Sequence, residues 1–367
     1  MGVEEEFLLV EPGSGLPASA ARAVLDRVVP GELAEGARVE RELWDTEVEA
    51  STGVCTTLTA VREALTRHRA ALGRAARAEG LELVAVGLPV FGAETAPPNR
   101  DGHYRWMGDA YGLVLSDQEF CSCHVHVGVA DREVAVAVLN HLRPWLPTLS
   151  ALTADSPFRR GRDTGFQSWR TVAYTRLPAS GVPPWFGSLA EHDADLARLG
   201  ECGLLPRDHG GLRLARLSGH LPTVEVRVAD AVPSVDEAVL HAALVRGLVR
   251  TALDELASGR EADRPADGVL GQALWTAARH GLAGPAIDPW TGAPTSPHAM
   301  AARLLRRVEP ALTATGDLAG TRSLLHGVLR HGNGAVRQRR AAAEGGIDDA
   351  LSLLIRETTA AHLSDGG

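Results

Sequence analysis

Lysine is absent from all 367 residues, so each of the 37 basic side chains is an arginine. A phosphate-loop lysine, a Schiff-base lysine and a strand-borne kinase lysine are therefore all excluded. If the protein handles phosphate, arginine and metal must do it. Only four cysteines occur (Cys55, Cys121, Cys123, Cys202), without the spacing of a secreted disulfide scaffold, and this favours reduced thiols in the cytoplasm. No run approaches the ~20 apolar residues of a membrane span. The opening Met-Gly-Val-Glu-Glu-Glu-Phe carries neither a basic region nor an apolar core, so no export signal is expected there. The arginines are scattered and the net charge is −9, which argues against a nucleic-acid partner. No internal repeat or low-complexity segment is present.

What is there reads as an ordinary globular chain. A hydrophobic fraction of 45% and a charged fraction of 23% exclude disordered and collagen-like classes. Strands are expected at Val3–Val10, Leu43–Ser51, Leu81–Val86, Glu119–Val129 and Leu221–Asp230. Ser19 is placed to cap a short helix running to about Val28. Leu58, Val61, Leu65, Leu72 and Ala76 repeat at helical spacing over 58–78. The Pro-rich stretch 96–102 reads as a loop before a helix near Tyr104–Leu115. Asp131 should cap a long helix that Pro144 and Pro147 bend, and Ser234 with Glu237 forms a capping box for a helix to about Leu256. The chain is expected to form one α+β domain, 1–367, with the sheet in 1–258 and a mainly helical part in 259–367.

The chemistry lies in a repeated local pattern. Four of the expected strands each carry two ionisable side chains spaced by two: Glu4 and Glu6, Glu47 and Glu49, His124 and His126, Glu225 and Arg227. Side chains alternate along a strand, so each pair faces one side. A single Glu pair is ordinarily a solvated face, and Glu5 makes the first run look like one. If the four faces coincide, however, five carboxylates, two imidazoles and a guanidinium share one concave surface. Such a cluster needs cations between the carboxylates, because like charges at contact repel by several kcal/mol at an effective dielectric of about 20. Oxygen-rich donor sets favour Mg²⁺ or Mn²⁺, and protein-bound Mg²⁺ commonly also takes phosphate oxygens. A zinc site at Cys121-Ser-Cys-His-Val-His126 is disfavoured, since on a regular strand the cysteines and histidines face opposite sides. Arg159, Arg160, Arg162 and Arg170 around Gly161 and Thr164-Gly165 suit phosphate oxygens, or else form a solvated basic loop. Trp169 reads as a core aromatic, and Gly332-Asn-Gly334 as a helix cap.

At these residues the sequence resembles the family 2 glutamate–cysteine ligases. The resemblance runs in order through Gly2–Phe7, Val48–Cys55, Cys123–Gly128, Ser156–Phe158, Gly161–Gly165, Pro222–Val228 with Asp230, and Arg337–Arg339. It implies a curved antiparallel sheet forming a funnel-shaped active site, with helices packed outside as in glutamine synthetase. It further implies Glu4, His124 and Glu225 around a metal that bridges ATP phosphates, and Glu6, Glu47 and Glu49 around a second metal. His126 and Arg227 would face the phosphates, and Arg162 and Arg170 the nucleotide or an acyl phosphate. The implied reaction joins a carboxylate, by resemblance glutamate, to an amine, by resemblance cysteine. It runs through an acyl phosphate and releases ADP and phosphate. A guanidino phosphotransferase, or a silent nucleotide-binding homologue, are the other functions such a sheet can carry. A homodimer is the implied assembly. The chain departs from the family pattern at Gly87-Leu-Pro-Val-Phe91 and at Leu214-Ala-Arg-Leu217, so Leu88, Pro89 and Leu214 are candidates for altered specificity.

Overall fold

A computed structural model describes residues 1–92, 102–116, 119–205 and 211–360; most of the expected 96–102 loop lies outside them. The principal sheet contains β1 (Gly2–Val10), β2 (Arg38–Arg41), β3 (Glu47–Ser51), β4 (Glu82–Val84) and β5 (Ser122–Gly128). Two short ribbons follow: β6 (Phe158–Arg159) with β7 (Arg162–Asp163), and β8 (Ser180–Gly181) with β9 (Leu212–Arg213). The sheet is completed by β10 (Ala215–Leu217) and β11 (Thr223–Asp230), in the order β10-β11-β5-β1-β3-β2. Every pairing in it is antiparallel. Leu8 pairs with both Glu47 and Val84, so β4 extends the edge of β1 that β5 leaves. The fold is α+β, as expected.

Alternation sorts β1 into two faces. Glu4 and Glu6 point to the front, and Val3, Glu5 and Phe7 to the back. The back is apolar because helices cover it: Val3, Cys123, Val125, Val224 and Val226 join one core with Val61 and Leu65 of helix Leu58–Ala78 and Ala242 and Val245 of helix Val235–Ala257. Glu5 is the exception, 2% exposed on this back face. Arg69 meets it there with Nε and Nη2 at 3.2 and 2.6 Å, and also donates to the carbonyls of Val232 and Pro233. A buried carboxylate is tolerable only when answered in this way.

The helix at 58–78 has the expected bounds and is capped by Thr57. Asp131 and Ser234 cap as expected, but the capping box is incomplete: Ser234 Oγ accepts from Glu237 N–H, and the Glu237 carboxylate accepts from the Ser234 hydroxyl instead of its N–H. The proline break is real: a 3-10 turn Arg143–Trp145 separates helices Arg132–Leu142 and Leu146–Leu152. Other boundaries differ for reasons of hydrogen bonding. Ser19 caps nothing, because helix Ala21–Asp26 starts on Ala20, and the N–H groups of Ala20 and Ala21 donate to Asp45 O. That contact, with Leu9 N–H on Thr46 O, occupies 45–46 and delays the expected Leu43–Ser51 strand to Glu47. Strand β4 stops at Val84 because Ala85 N–H donates to Thr358 Oγ1 instead. The helix expected over 104–115 is interrupted at Gly112, whose φ of +50° is left-handed. Among the described residues no helix is long and apolar enough to cross a membrane.

Candidate active site

The four expected pairs lie on four adjacent strands. In register, Glu4 faces His124, Glu6 faces Glu49, Leu8 faces Glu47, and His126 faces Glu225. Six of the eight, Glu4, Glu6, Glu47, Glu49, His124 and Arg227, line a cavity of about 220 Å³ on the front of the sheet together with Tyr104, Phe120 and Tyr174, while His126 and Glu225 lie outside its lining. Two ligand-capable groups result, each with donor atoms within 4.8 Å of one another: Glu4, His124, Glu225, and Glu6, Glu42, Glu49. The first matches the expected set. In the second, Glu42 occupies the place expected for Glu47. The latter lines the cavity but lies 1% exposed, its carboxylate 4.0 Å from Cys121 Sγ.

Glu42 accepts from Tyr104 OH at 2.8 Å and from Leu43 N–H at 2.7 Å. A signal for it existed: Glu40-Arg-Glu42 repeats the Glu-x-Glu spacing, and Glu40 pairs with Glu49 across β2 and β3. Arg216 is the second residue that pattern reading passed over. It lies opposite Glu225 in register and donates from Nε at 2.8 Å and Nη2 at 3.1 Å to the two carboxylate oxygens.

Arg227 donates to Glu225 and lies 3.3 Å from His124 Nδ1, between the two carboxylate groups. Its placement depends on a bulge. Val226 pairs with Val125 but Ala229 with Cys123, so three steps of β11 span two of β5. The shift brings Asp230 opposite Ser122 and onto the front face, three residues from Arg227 instead of two or four. Asp230 accepts from the hydroxyls of Ser156 and Ser168 and from Asp155 N–H, within 2.8 Å. A Cβ on Gly87 would stand 2.7 Å from the Asp230 carboxyl carbon, so only glycine permits this approach. Arg170 is 1% exposed beneath this node. It reaches Asp230 at 3.5 Å and Arg227 O at 3.2 Å, and so buttresses the strand from outside the cavity wall. Arg162 is exposed on the β6–β7 ribbon, whose two-residue turn Arg160-Gly161 has φ of 52° and 69°, and it does not line the cavity. His126 donates to or accepts from Thr223 Oγ1 at 2.9 Å and stands 3.2 Å from Glu4.

The charges on this face are in tension. Burial, then the Glu42 charge, pushes Glu6 up to about 8, although Arg227 and Arg170 oppose it. Burial and then neighbouring carboxylates likewise hold Glu47 and Glu49 well above the usual range. Burial also opposes ionisation of Glu225, but Arg227 and Arg216 win and hold it well below. Glu4 is lowered too, burial being outweighed by His124 and His126. His124 is pushed down to about 4, by burial first and Arg227 second, so its imidazole is neutral near pH 7. Its Nε2 is buried without a hydrogen-bond partner. Crowded carboxylates and an orphaned neutral imidazole nitrogen are a donor set that a hard divalent cation fits.

Cys121 and Cys123 are fully buried, one in each of two hydrophobic clusters, and neither belongs to a ligand-capable group among the described residues. Asn333 caps helix Gly334–Gly345 through Val336 N–H. Leu88 and Leu214, 2% and 0% exposed, do not line the cavity, nor does Pro89. Their departures from the family pattern lie in the wall behind it.

Known proteins resemble this chain in sequence and in fold. A family model described as Glutamate-cysteine ligase family 2 matches residues 1–353. A Saccharopolyspora erythraea protein provisionally named glutamate–cysteine ligase 2-2 is 48% identical over 359 residues, covering 98% of this chain and 92% of its own. A similarly named Mycolicibacterium vanbaalenii protein is 43% identical over 100% of this chain and 98% of its own. The crystal structure of a Francisella tularensis glutamate–cysteine ligase in complex with AMP superposes with a TM-score of 0.62 at 13% identity, covering 99% of this chain and 89% of that one. The chain is thus an enzyme of the carboxylate–amine ligase class. It belongs to glutamate–cysteine ligase family 2.

Proposed function

We propose that the protein is an ATP- and Mg²⁺-dependent ligase that joins the carboxylate of glutamate to the amine of cysteine, through an acyl phosphate, with release of ADP and phosphate. The observation that carries this reading is the pair of ligand groups, Glu4–His124–Glu225 and Glu6–Glu42–Glu49, side by side on one sheet face with Arg227 between them. Two groups so placed suit phosphate on one side and a substrate carboxylate on the other. AMP held by the Francisella enzyme of like fold supports a nucleotide in the funnel.

Magnesium bound at the two groups would polarise the γ-phosphate and neutralise charge on the transferring oxygens. The chain's own residues do the rest. Arg227 presents a guanidinium to the anionic transferring group, where a fixed donor gains most from charge that develops in the transition state. Arg216 and Arg227 together keep Glu225 ionised. His126, steadied by Thr223, would contact a phosphate oxygen. Arg170 holds Arg227 in place through its backbone carbonyl. Glu47, expected as a ligand, is assigned to support of the second group, and Arg162 to nucleotide approach from the ribbon. No lysine is needed at any step.

Small-molecule substrates, a cytoplasmic setting and a homodimer complete the reading; the four cysteines, free in the structure, support the compartment. The test is ADP release by the purified protein with Mg²⁺, glutamate and cysteine, followed by transfer of ¹⁸O from the glutamate carboxylate to inorganic phosphate. AMP and pyrophosphate as products, or no ADP with any amino-acid pair, would refute it.

A further inference from the structure

Arg337, Gln338 and Arg339, the last stretch of the family resemblance, contribute nothing to the cavity lining. We propose, resting on the ATP-dependent ligase reading, that Arg339 is a positioning residue for nucleotide binding: from helix Gly334–Gly345 it locks the β6–β7 ribbon in the place where Arg162 meets the ATP phosphates.

The helix is fixed before it reaches the ribbon. Arg337 divides its guanidinium between Glu237 and Glu357, at 2.7 and 2.8 Å, and donates to Gly332 O. Gln338 is fully buried and donates to the Asp155 carboxylate at 2.7 Å. Asn333, at the head of the helix, donates to Ala151 O at 2.9 Å. These anchors give Arg339 a rigid mount.

Arg339 grips the ribbon at its base. Its Nε and Nη2 donate to the two Asp163 oxygens at 2.8 and 2.6 Å, and Nη2 also donates to Phe166 O at 2.8 Å. Both ends of the turn 163–166, which leads to helix Trp169–Tyr174 and Arg170, are thereby held by one side chain. The Arg339 bonds are the chief reason that Asp163 lies below the usual carboxylate range.

The ribbon needs such a grip. Each strand has two residues, too few for a hairpin that stands alone. Arg159 and Arg162 are opposite one another in register, and like charges so placed repel until an anion lies between them. Gly161 N–H on Val90 O holds the tip at 2.9 Å, and Arg339 holds the base. Arg162 is exposed and makes no ion pair among the described residues, so its guanidinium is open to phosphate. Asp163 is the one carboxylate of the ribbon, and left unanswered it would repel that phosphate. Stability does not account for the pair: the Arg339 and Asp163 side chains are 24% and 49% exposed, and an ion pair so placed contributes little to folding.

Equilibrium dialysis with Mg²⁺-ATP tests this without requiring turnover. Arg339→Gln should weaken ATP binding about tenfold, the order expected of a mispositioned donor, with the melting temperature and the KM for glutamate kept. Arg162→Gln should weaken it comparably. Adding Arg339→Gln to Arg162→Gln should then weaken it little further, because the one residue acts through the other. Unchanged ATP binding in Arg339→Gln, full additivity of the two substitutions, or an equal loss of affinity for glutamate would overturn the inference and leave the ligase reading standing. No ATP binding by the wild-type protein would overturn both.

Discussion

Arg216 and Glu225 face each other across β10 and β11 and are joined by two N–H···O bonds of 2.8 and 3.1 Å. Glu225 also accepts from Arg227, so one buried carboxylate answers two guanidinium groups and offers an oxygen to the Glu4–His124 group. The amide of Glu225→Gln keeps the shape but removes the charge on which all these contacts rest. Turnover should fall by about 10²–10³-fold or more while the far-UV circular dichroism stays native. Wild-type ADP release from this variant would remove Glu225 from the site.

Glu42, and not the Glu47 that the family resemblance implied, is grouped with Glu6 and Glu49, and the two can be told apart. Glu42→Gln should raise the Mg²⁺ concentration for half-maximal rate by about 10–100-fold, the usual cost of weakening a metal's surroundings. Glu47→Gln should change it less, because that carboxylate, 1% exposed, is not among the donor atoms that lie within 4.8 Å of one another. An equal shift in both variants would restore Glu47 as a ligand.

Leu88 and Leu214 sit in the wall, not in the lining. Truncating either to alanine should cost about 2–5 kcal/mol of stability and leave the KM values for both amino acids within a factor of two. A selective change in one KM, with stability kept, would make these positions specificity determinants after all.

His241 reports acid sensitivity. It is fully buried on helix Val235–Ala257 with neither ring nitrogen bonded, and burial first, with His124 second, pushes its pKa down to about 3. In the unfolded chain it titrates near 6.5, so between about pH 6.5 and 3 the unfolded state binds more protons and stability falls as pH falls. At pH 5 this one group costs about 2 kcal/mol relative to neutral pH. His241→Leu, close in volume, should be as stable as wild type at pH 7.5 and lose less stability on going to pH 5. Parallel denaturant midpoints at the two pH values measure this, and an identical pH dependence would place the acid-sensitive group elsewhere.

The sequence alone determined which residues could be chemical, because strand alternation is a local rule. Each of the pairs at 4 and 6, 47 and 49, 124 and 126, and 225 and 227 faces one way wherever its strand lies. Helix ends at Asp131, Ser234 and Asn333 were equally legible, since a cap is made within four residues. Tertiary structure decided what no local rule contains. Sheet order put the four pairs side by side, and the short strand β10 set Arg216 against Glu225. The bulge in β11 turned Asp230 to the front beside Arg227. Arg69, 64 residues away, made Glu5 a buried structural charge, not part of a solvated run. The depth of Leu88 and Leu214, buried outside the cavity lining, follows from the packing of distant segments. These outcomes depend on which segments, distant along the chain, share a hydrogen-bond ladder or a core, and only the folded chain sets that.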